Sequence, residues 1–523
     1  MRSRTPSRHG PTVGLRGRAA TIVREAVDAH CARVKLALIE GGIFGPVWGP
    51  TLRRLVSRRV ADRLRALASH FDAAFYARQF GDGRRRRRIE HFPLLHYILV
   101  GSTENRPPRP GFDPIFYRQS NPDVGTDDPL WHYVSRWARR SVPFNEMARH
   151  AKTRPWQAGR QAVLTIHHGR GGGSSRFLDL FEEELWRKGR NILRLRAVNG
   201  SPTLAVLEDR AVSAADVVPA KVFDLAIDGP SLAEFARRRG VTRLLVNHLI
   251  DRPPAVMGWI EDLARGLGCS YDVILHDYYV LCPRVDMVNG QGRFCGVAPP
   301  DDCVRCVEKH GSEVPNVKPL TWRASFSEFL AHAETIFVPS RDMALRLAPY
   351  IANTIQVWSP ENDLDLPPER RPYLAGKDPL RVAILGALNV PKGLRVLVSL
   401  ARAARLAGAP LAFTVVGPTS DPALLASEGI KVTGAYKGDD LDGLIDVVGP
   451  HVVFLPAIWP ETWSFVLTVA LRRGFPVVAF DIGAPAERLR RLSRGQLLAL
   501  DLMDRPADLL AAFLRLRDQL VVR

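Results

Sequence analysis

The sequence predicts an α/β protein in which two Rossmann-like, doubly wound domains face a cleft behind a mainly helical N-terminal module. Three observations carry that prediction. From Gln161 onward, short apolar strand-like runs alternate with helical segments. Two glycine-bearing strand-to-helix turns, at Gly171–Gly173 and Gly386–Gly393, each open such a series. Before residue 150 the pattern is instead an aromatic repeat, and 523 residues exceed what one hydrophobic core ordinarily holds.

Charge sets the front apart from the body. Of 73 Lys+Arg and 54 Asp+Glu, residues 1–150 hold 27 basic and 13 acidic, so most of the +19 lies there. Such an excess suits phosphate-bearing partners or an anionic surface. With 46% apolar residues, wholesale disorder is excluded. No run approaches the roughly 18–20 apolar residues of a membrane span. The basic start lacks a following apolar stretch, so no secretory signal is expected. Six cysteines are too few for a disulfide scaffold in a chain this long. The expectation is a cytoplasmic protein, at most peripheral to a membrane.

Residues 1–70 read as a basic tail followed by an arginine-rich amphipathic helix at about 52–70. This helix either lies on an anionic membrane surface or packs on its own protein. Residues 71–150 read as a helical module in two copies. Phe71-Asp72-x-x-Phe75-Tyr76 with Pro93-Leu94-Leu95-His96-Tyr97 is matched by Phe112-Asp113-x-x-Phe116-Tyr117 with Pro129-Leu130-Trp131-His132-Tyr133. These aromatics are expected to be core rather than a ligand cage, and His96 and His132 to be packed. Arg84–Arg88 reads as a solvated loop that could contact an anion.

The body divides into 155–360 and 375–523. In the first part, strands are predicted at Ala162–Ile166, Arg243–His248, Tyr271–Leu275 and Thr335–Val338. Between the first strand and the helix beginning near Arg176 lies the glycine loop, where backbone N–H groups and a helix N-terminus could meet an anion. A Pro-containing stretch, Ser359–Pro368, reads as a linker. Strands at Leu380–Leu385, Ala412–Val416, Val452–Leu455 and Pro476–Phe480 build the second part. The alternation implies parallel sheets with ligands at the carboxyl ends of the strands.

Four features could carry chemistry. Lys392, within the turn from Gly386 to Gly393, brings a cation to a helix start, which suits a diphosphate; a solvated lysine is the alternative. Glu461 precedes a helix that Thr462 or Ser464 could cap, and a carboxylate there could accept from sugar hydroxyls. His276, followed by Asp277, sits after a strand, where an imidazole could donate to a substrate oxygen. Cys282, Cys295, Cys303 and Cys306 fall within 25 residues, and Cys303-x-x-Cys306 is a close pair suited to a structural zinc. Reduced thiols are the other reading of the four.

Taken together these residues resemble the family 4 glycosyltransferases, which have the GT-B fold. The resemblance runs over about residues 161–515. It rests on His167-x-x-x-Gly171-Gly172-Gly173-Ser174, on His276-Asp277 to Cys282-Pro283-Arg284, on the Gly386–Gly393 turn, and above all on Trp459–Arg488. The front repeat also resembles a module attached to glycosyltransferases of bacterial surface-polysaccharide synthesis. The family resemblance implies transfer from a nucleotide-diphosphate sugar to a glycan or lipid-linked acceptor with retention of configuration and no catalytic metal. It implies that Lys392 and Gly386 meet the diphosphate and that backbone amides at Ser464 and Phe465 approach the phosphates. It further implies that Glu461 contacts the donor sugar, that His276 lies near that sugar, and that Gly172 and Gly173 border the reaction centre. Two departures stand out: Val469 occupies the place of a second glutamate, and Ala387 and Leu388 stand where many members carry an arginine. These departures keep open a non-catalytic relative that binds nucleotide sugar or glycan as a scaffold; a nucleotide-sugar epimerase is a further alternative. A nucleic-acid partner is not expected, because charge is its only support.

Overall fold

The computed structural model describes residues 66–68, 70–80, 89–90, 93–109, 112, 114, 117–118, 124, 127–136, 156–168, 172–198, 201–209, 221–312, 314, 317–436 and 440–521. The arginine run 84–88 and nearly all of the expected amphipathic helix at 52–70 lie outside the described residues. Contact density divides the chain into two units. The first runs to Arg170 and adds Gly189–Val241 and Ile250–Leu267; the second comprises Gly171–Lys188, Thr242–Leu249 and Gly268–Arg523.

In the first unit, Asp72 caps helix α1 (Ala73–Arg78) by accepting the Phe75 N–H at 2.9 Å. Helix α2 (Pro93–His96) continues into a π-helical stretch, Tyr97–Gly101, and α3 (Pro129–Arg136) belongs to the second copy. Both copies make one shared contact. The Tyr76 hydroxyl bonds His96 Nδ1 at 2.8 Å, and the Tyr117 hydroxyl bonds His132 Nδ1 at 2.9 Å. Gly101 is required by the first of these, since a Cβ there would stand 1.9 Å from the Tyr76 hydroxyl. Tyr76, Tyr97, Phe112, Tyr117, Leu130 and Tyr133 share one buried cluster, so the repeat aromatics form a core. Phe75 points the other way, packing with Val198, Leu204 and Val206.

The strands before residue 360 are ordered β4-β3-β2-β1 in the first unit and β5-β6-β7-β8 in the second. They are β1 (Ala162–His167), β2 (Asn191–Ala197), β3 (Leu204–Asp209), β4 (Lys221–Asp224), β5 (Val241–Val246), β6 (Tyr271–Ile274), β7 (Thr335–Val338) and β8 (Ile355–Val357). The pairing is not wholly parallel, contrary to what the alternation implies: β2–β3 and β3–β4 pair antiparallel. Residues 198–203, which join β2 to β3, are too few for the crossover that a parallel pair requires. Helix α4 (Gly173–Arg187) follows the glycine loop, with Gly172 at φ 82° as its N-cap. Helices α5 (Gly229–Arg238), α6 (Val256–Leu267), α7 (Pro300–His310), α8 (Pro319–Ala331) and α9 (Arg341–Leu347) complete this half.

A further sheet lies wholly in the second unit and is parallel throughout, in the order β11-β10-β9-β12-β13-β14. Its strands are β9 (Leu380–Leu385), β10 (Leu411–Val416), β11 (Lys431–Val432), β12 (Val452–Leu455), β13 (Val477–Phe480) and β14 (Gln496–Leu498). Its helices are α10 (Leu394–Leu406), α11 (Pro422–Ser427), α12 (Leu441–Val448), α13 (Phe465–Arg472), α14 (Gly483–Leu492) and α15 (Pro506–Leu520). Period-two alternation covers both faces of the sheet. Leu380, Val382 and Ile384 pack with Leu397 of α10 and Phe513 of α15. Ala383 and Leu385 face the opposite cluster, which holds Leu467 and Leu471 of α13. Renumbered from its first strand, this order is 3-2-1-4-5-6, so the winding direction reverses between β9 and β12. No helix among the described residues is long and apolar enough to cross a membrane.

Candidate functional site

The loops after β9 and β12, on either side of that reversal, interlock. Lys392 lies on the first loop, its N–H held at 3.1 Å by Asn389 Oδ1. Gly393 follows at φ 89°, so close to the second loop that a Cβ would meet the Pro456 carbonyl oxygen at 2.0 Å; only glycine fits. The Ile458 N–H then donates to the Pro391 carbonyl at 3.0 Å. This locking brings the Lys392 ammonium onto Glu461 Oε1 as an ion pair, with the lysine side chain 39% exposed and the carboxylate 7%. The ammonium also lies 5.8 Å from the centre of the Trp459 ring.

Glu461 itself is held by its backbone. Its carbonyl accepts the Ala484 N–H at 2.7 Å, and Gly483, at φ 73°, lies so near that a Cβ would reach 2.7 Å from the Glu461 nitrogen. Gly483→Ala is therefore expected to push the Glu461 loop out of place. It adds a positive-φ penalty of about 1–2 kcal/mol to a steric clash, so the melting temperature falls and Glu461-dependent activity falls with it. Calorimetry of the variant checks this; an unchanged melting temperature overturns it.

Three residues beyond Glu461, Ser464 caps α13, its hydroxyl accepting the Leu467 N–H at 3.4 Å. That helix start is gripped from below by Arg488, which is 1% exposed. Arg488 donates to the Ser464 carbonyl at 2.9 Å and to Thr468 Oγ1 at 2.8 Å, pairs with Asp363 at 2.6 Å, and stacks 4.2 Å over the Trp463 ring. Val469 is half-buried and packs on an apolar cluster. Gly386 is approached by the same helix, since a Cβ there would lie 3.1 Å from Val466.

Residues of α4 and of the loop after β6 join this group inside the second unit. Thr462 Oγ1 donates to the His276 carbonyl, and the Tyr278 hydroxyl donates to the Pro460 carbonyl at 3.3 Å. Gly173 stands against the Phe465 ring, which a Cβ on the glycine would meet at 3.7 Å, and the Arg176 guanidinium lies 4.5 Å over that ring. Arg176 also pairs at 2.8 Å with the buried Glu361, which accepts a second bond from Thr468. Gly173, His276, Gly386, Lys392, Glu461, Ser464 and Phe465 thus lie along one run of contacts and chain neighbours, whereas a Cβ on Gly172 would meet nothing within 4 Å.

Around His276 the structure adds groups that no sequence motif singles out. The His276 Nε2 bonds Asn247 Oδ1 at 2.7 Å, and His248 Nε2 bonds Asp277 Oδ2 at 2.9 Å. The two imidazoles lie nearly parallel, 12° apart, and Phe177 meets His276 edge-on at 4.7 Å. Burial pushes the Asp277 carboxyl up, but the neighbouring His248 and the Tyr279 N–H more than reverse this and hold it below its usual range. The apolar run predicts a strand as far as His248; the strand stops at Val246 and leaves Asn247 and His248 in the loop.

Among the described residues no group of three or more His, Cys, Asp and Glu side chains is disposed to hold a metal ion, although Cys282, Cys295, Cys303 and Cys306 are all described. Cys303 Sγ instead donates to the Ala298 carbonyl at 3.3 Å and accepts from Arg323 at 2.9 Å. Burial pushes the Cys282 thiol up to about 12 and raises Cys295 as well.

Residues 379–519 match the model of a family described as glycosyl transferases group 1. No curated protein matches the chain. Among solved structures, HepE of Anabaena in complex with UDP is 13% identical, with 69% of this chain and 91% of that one covered, at a TM-score of 0.42. Sucrose-phosphate synthase from Thermosynechococcus elongatus is 13% identical over 68% and 90% of the two chains, at 0.43. TarM is 10% identical over 69% and 93%, also at 0.43.

Proposed function

We propose that the chain is a glycosyltransferase that moves a sugar from a nucleotide-diphosphate sugar to a growing glycan or lipid-linked acceptor, with retention of configuration. The observation that carries this reading is the Lys392–Glu461 pair beside a capped helix start at the reversal point of a 3-2-1-4-5-6 parallel sheet. Open α/β sheets bind nucleotides in that crevice. The family match over residues 379–519, which contains all of these groups, supports it too.

Breaking the bond between the anomeric carbon and the diphosphate leaves negative charge on the departing phosphate. Lys392 and the helix-start N–H groups at Ser464 and Phe465 are suited to stabilise it. As phosphate draws the ammonium away, the Glu461 carboxylate is released to accept from hydroxyls of the sugar. His276 would then lie against that sugar, with Gly172 and Gly173 leaving room at the reaction centre. No metal ion takes part in this scheme, so EDTA should leave turnover unchanged. The basic front would hold the enzyme at the inner face of the plasma membrane.

The test is incubation with UDP-, GDP- and TDP-sugars, following release of the nucleotide diphosphate and transfer to added glycan. Turnover of at least one donor is expected, lost in Glu461→Ala. Full activity of that variant refutes the assigned site. A second reading has one observation in its favour: Val469 offers no hydrogen bond where a glutamate would, which suits a protein that binds nucleotide sugar without using it. Saturable binding of a donor with no turnover would establish that reading instead.

A further inference from the structure

The loops after β5 and β6 form a two-rung clasp. Asn247-His248 on one strand end meets His276-Asp277 on the next, residue for residue, through bonds of 2.7 and 2.9 Å. The rungs differ in charge: His248 faces a carboxylate, whereas His276 faces a neutral amide. Asn247 is fully buried, and its Nδ2 is directed at the Ser174 carbonyl at 3.5 Å, in the first turn of the helix after the glycine loop. Turning the amide over would set its oxygen against that carbonyl oxygen in a fully buried place. Oδ1 is therefore the atom facing His276, and an amide oxygen only accepts. The proton of the bond must belong to His276 Nε2, and a neutral ring then carries its lone pair on Nδ1.

We infer that Asn247 is a positioning residue of the sugar-transfer site, fixing the His276 imidazole as the Nε2–H tautomer and tying it to the glycine loop through Ser174. The kinetic consequence rests on the transferase reading; the tautomer does not. Phe177 meets the ring edge-on at 4.7 Å, His248 lies nearly parallel to it at 6.4 Å, and Asp277 supplies the nearby negative charge from the second rung.

The experiment uses the full chain labelled with ¹⁵N-histidine, the His276 resonances being identified by their loss in His276→Gln. At pH 7.5 the wild type should show a protonated Nε2 and an unprotonated Nδ1. Asn247→Ala should show a mixture of tautomers and a kcat lower by about 10- to 100-fold, with KM little changed. Asn247→Asp preserves the packing if the alanine variant fails to fold. Its carboxylate favours the imidazolium, so the His276 pKa rises, and the acid limb of the kcat/KM profile moves to higher pH with it. A protonated Nδ1 in the wild type overturns the inference, as does an Asn247→Ala protein with unaltered tautomer and kcat. If no donor is turned over, the transferase reading fails and the resonances still decide the tautomer.

Discussion

Lys392→Ala is expected to lower kcat/KM for the donor by about 10²–10³-fold, the usual consequence of removing one preorganised group from a developing negative charge. Lys392 is the one residue on the loop after β9 that brings positive charge to Glu461, because Ala387 and Leu388 offer none. The same change strands the buried Glu461 carboxylate, so the protein should also melt earlier. The two effects can be separated. In Lys392→Ala/Glu461→Gln the buried charge is gone, so the melting temperature should return toward the wild-type value while turnover stays low. Recovery of turnover in the double variant, or a Lys392→Ala enzyme as active as the parent, would show that the pair is merely structural.

Asp363→Ala is expected to destabilise the protein by about 3–5 kcal/mol, the range for breaking a buried ion pair from one side. Arg488 and Asp363 are 1% and 3% exposed, so the guanidinium left behind is shut off from solvent. Arg491, which also reaches Asp363 but is 60% exposed, provides the comparison: Arg491→Ala should cost no more than about 1 kcal/mol. Because Arg488 holds the Ser464 carbonyl and Thr468, the start of α13 should loosen in Asp363→Ala, and donor affinity should fall along with stability. Urea unfolding followed by fluorescence measures the first effect and nucleotide titration the second. Equal unfolding midpoints for the Asp363 and Arg491 variants would contradict the argument.

What the sequence discloses follows from how local each signal is. Strands Thr335–Val338, Leu380–Leu385 and Val452–Leu455 are legible to the residue because each is a mainly apolar run of strand length. Leu204–Leu207 in β3 is a run of the same kind, whereas β4 is a four-residue edge strand in which only Val222 and Phe223 are apolar. Lys392, Glu461 and Ser464 are legible because each sits at a fixed offset from a glycine turn or a helix cap. Glu361 and Asp363 are hidden in a stretch whose prolines read as a linker. Their partners stand 107 to 185 residues away, a distance at which a sequence pattern carries no information on pairing.

The bond from Thr462 to the His276 carbonyl joins residues 186 positions apart, and Tyr278 reaches Pro460 across 182. On a ribosome adding about 5–20 residues per second, His276 would wait roughly 10–40 s after its own synthesis before Thr462 exists. During that interval the loop at His276 lacks the partner that fixes its backbone, and the chain is open to cellular chaperones and proteases. Codon usage between the two segments would then affect the yield of active protein without altering any amino acid.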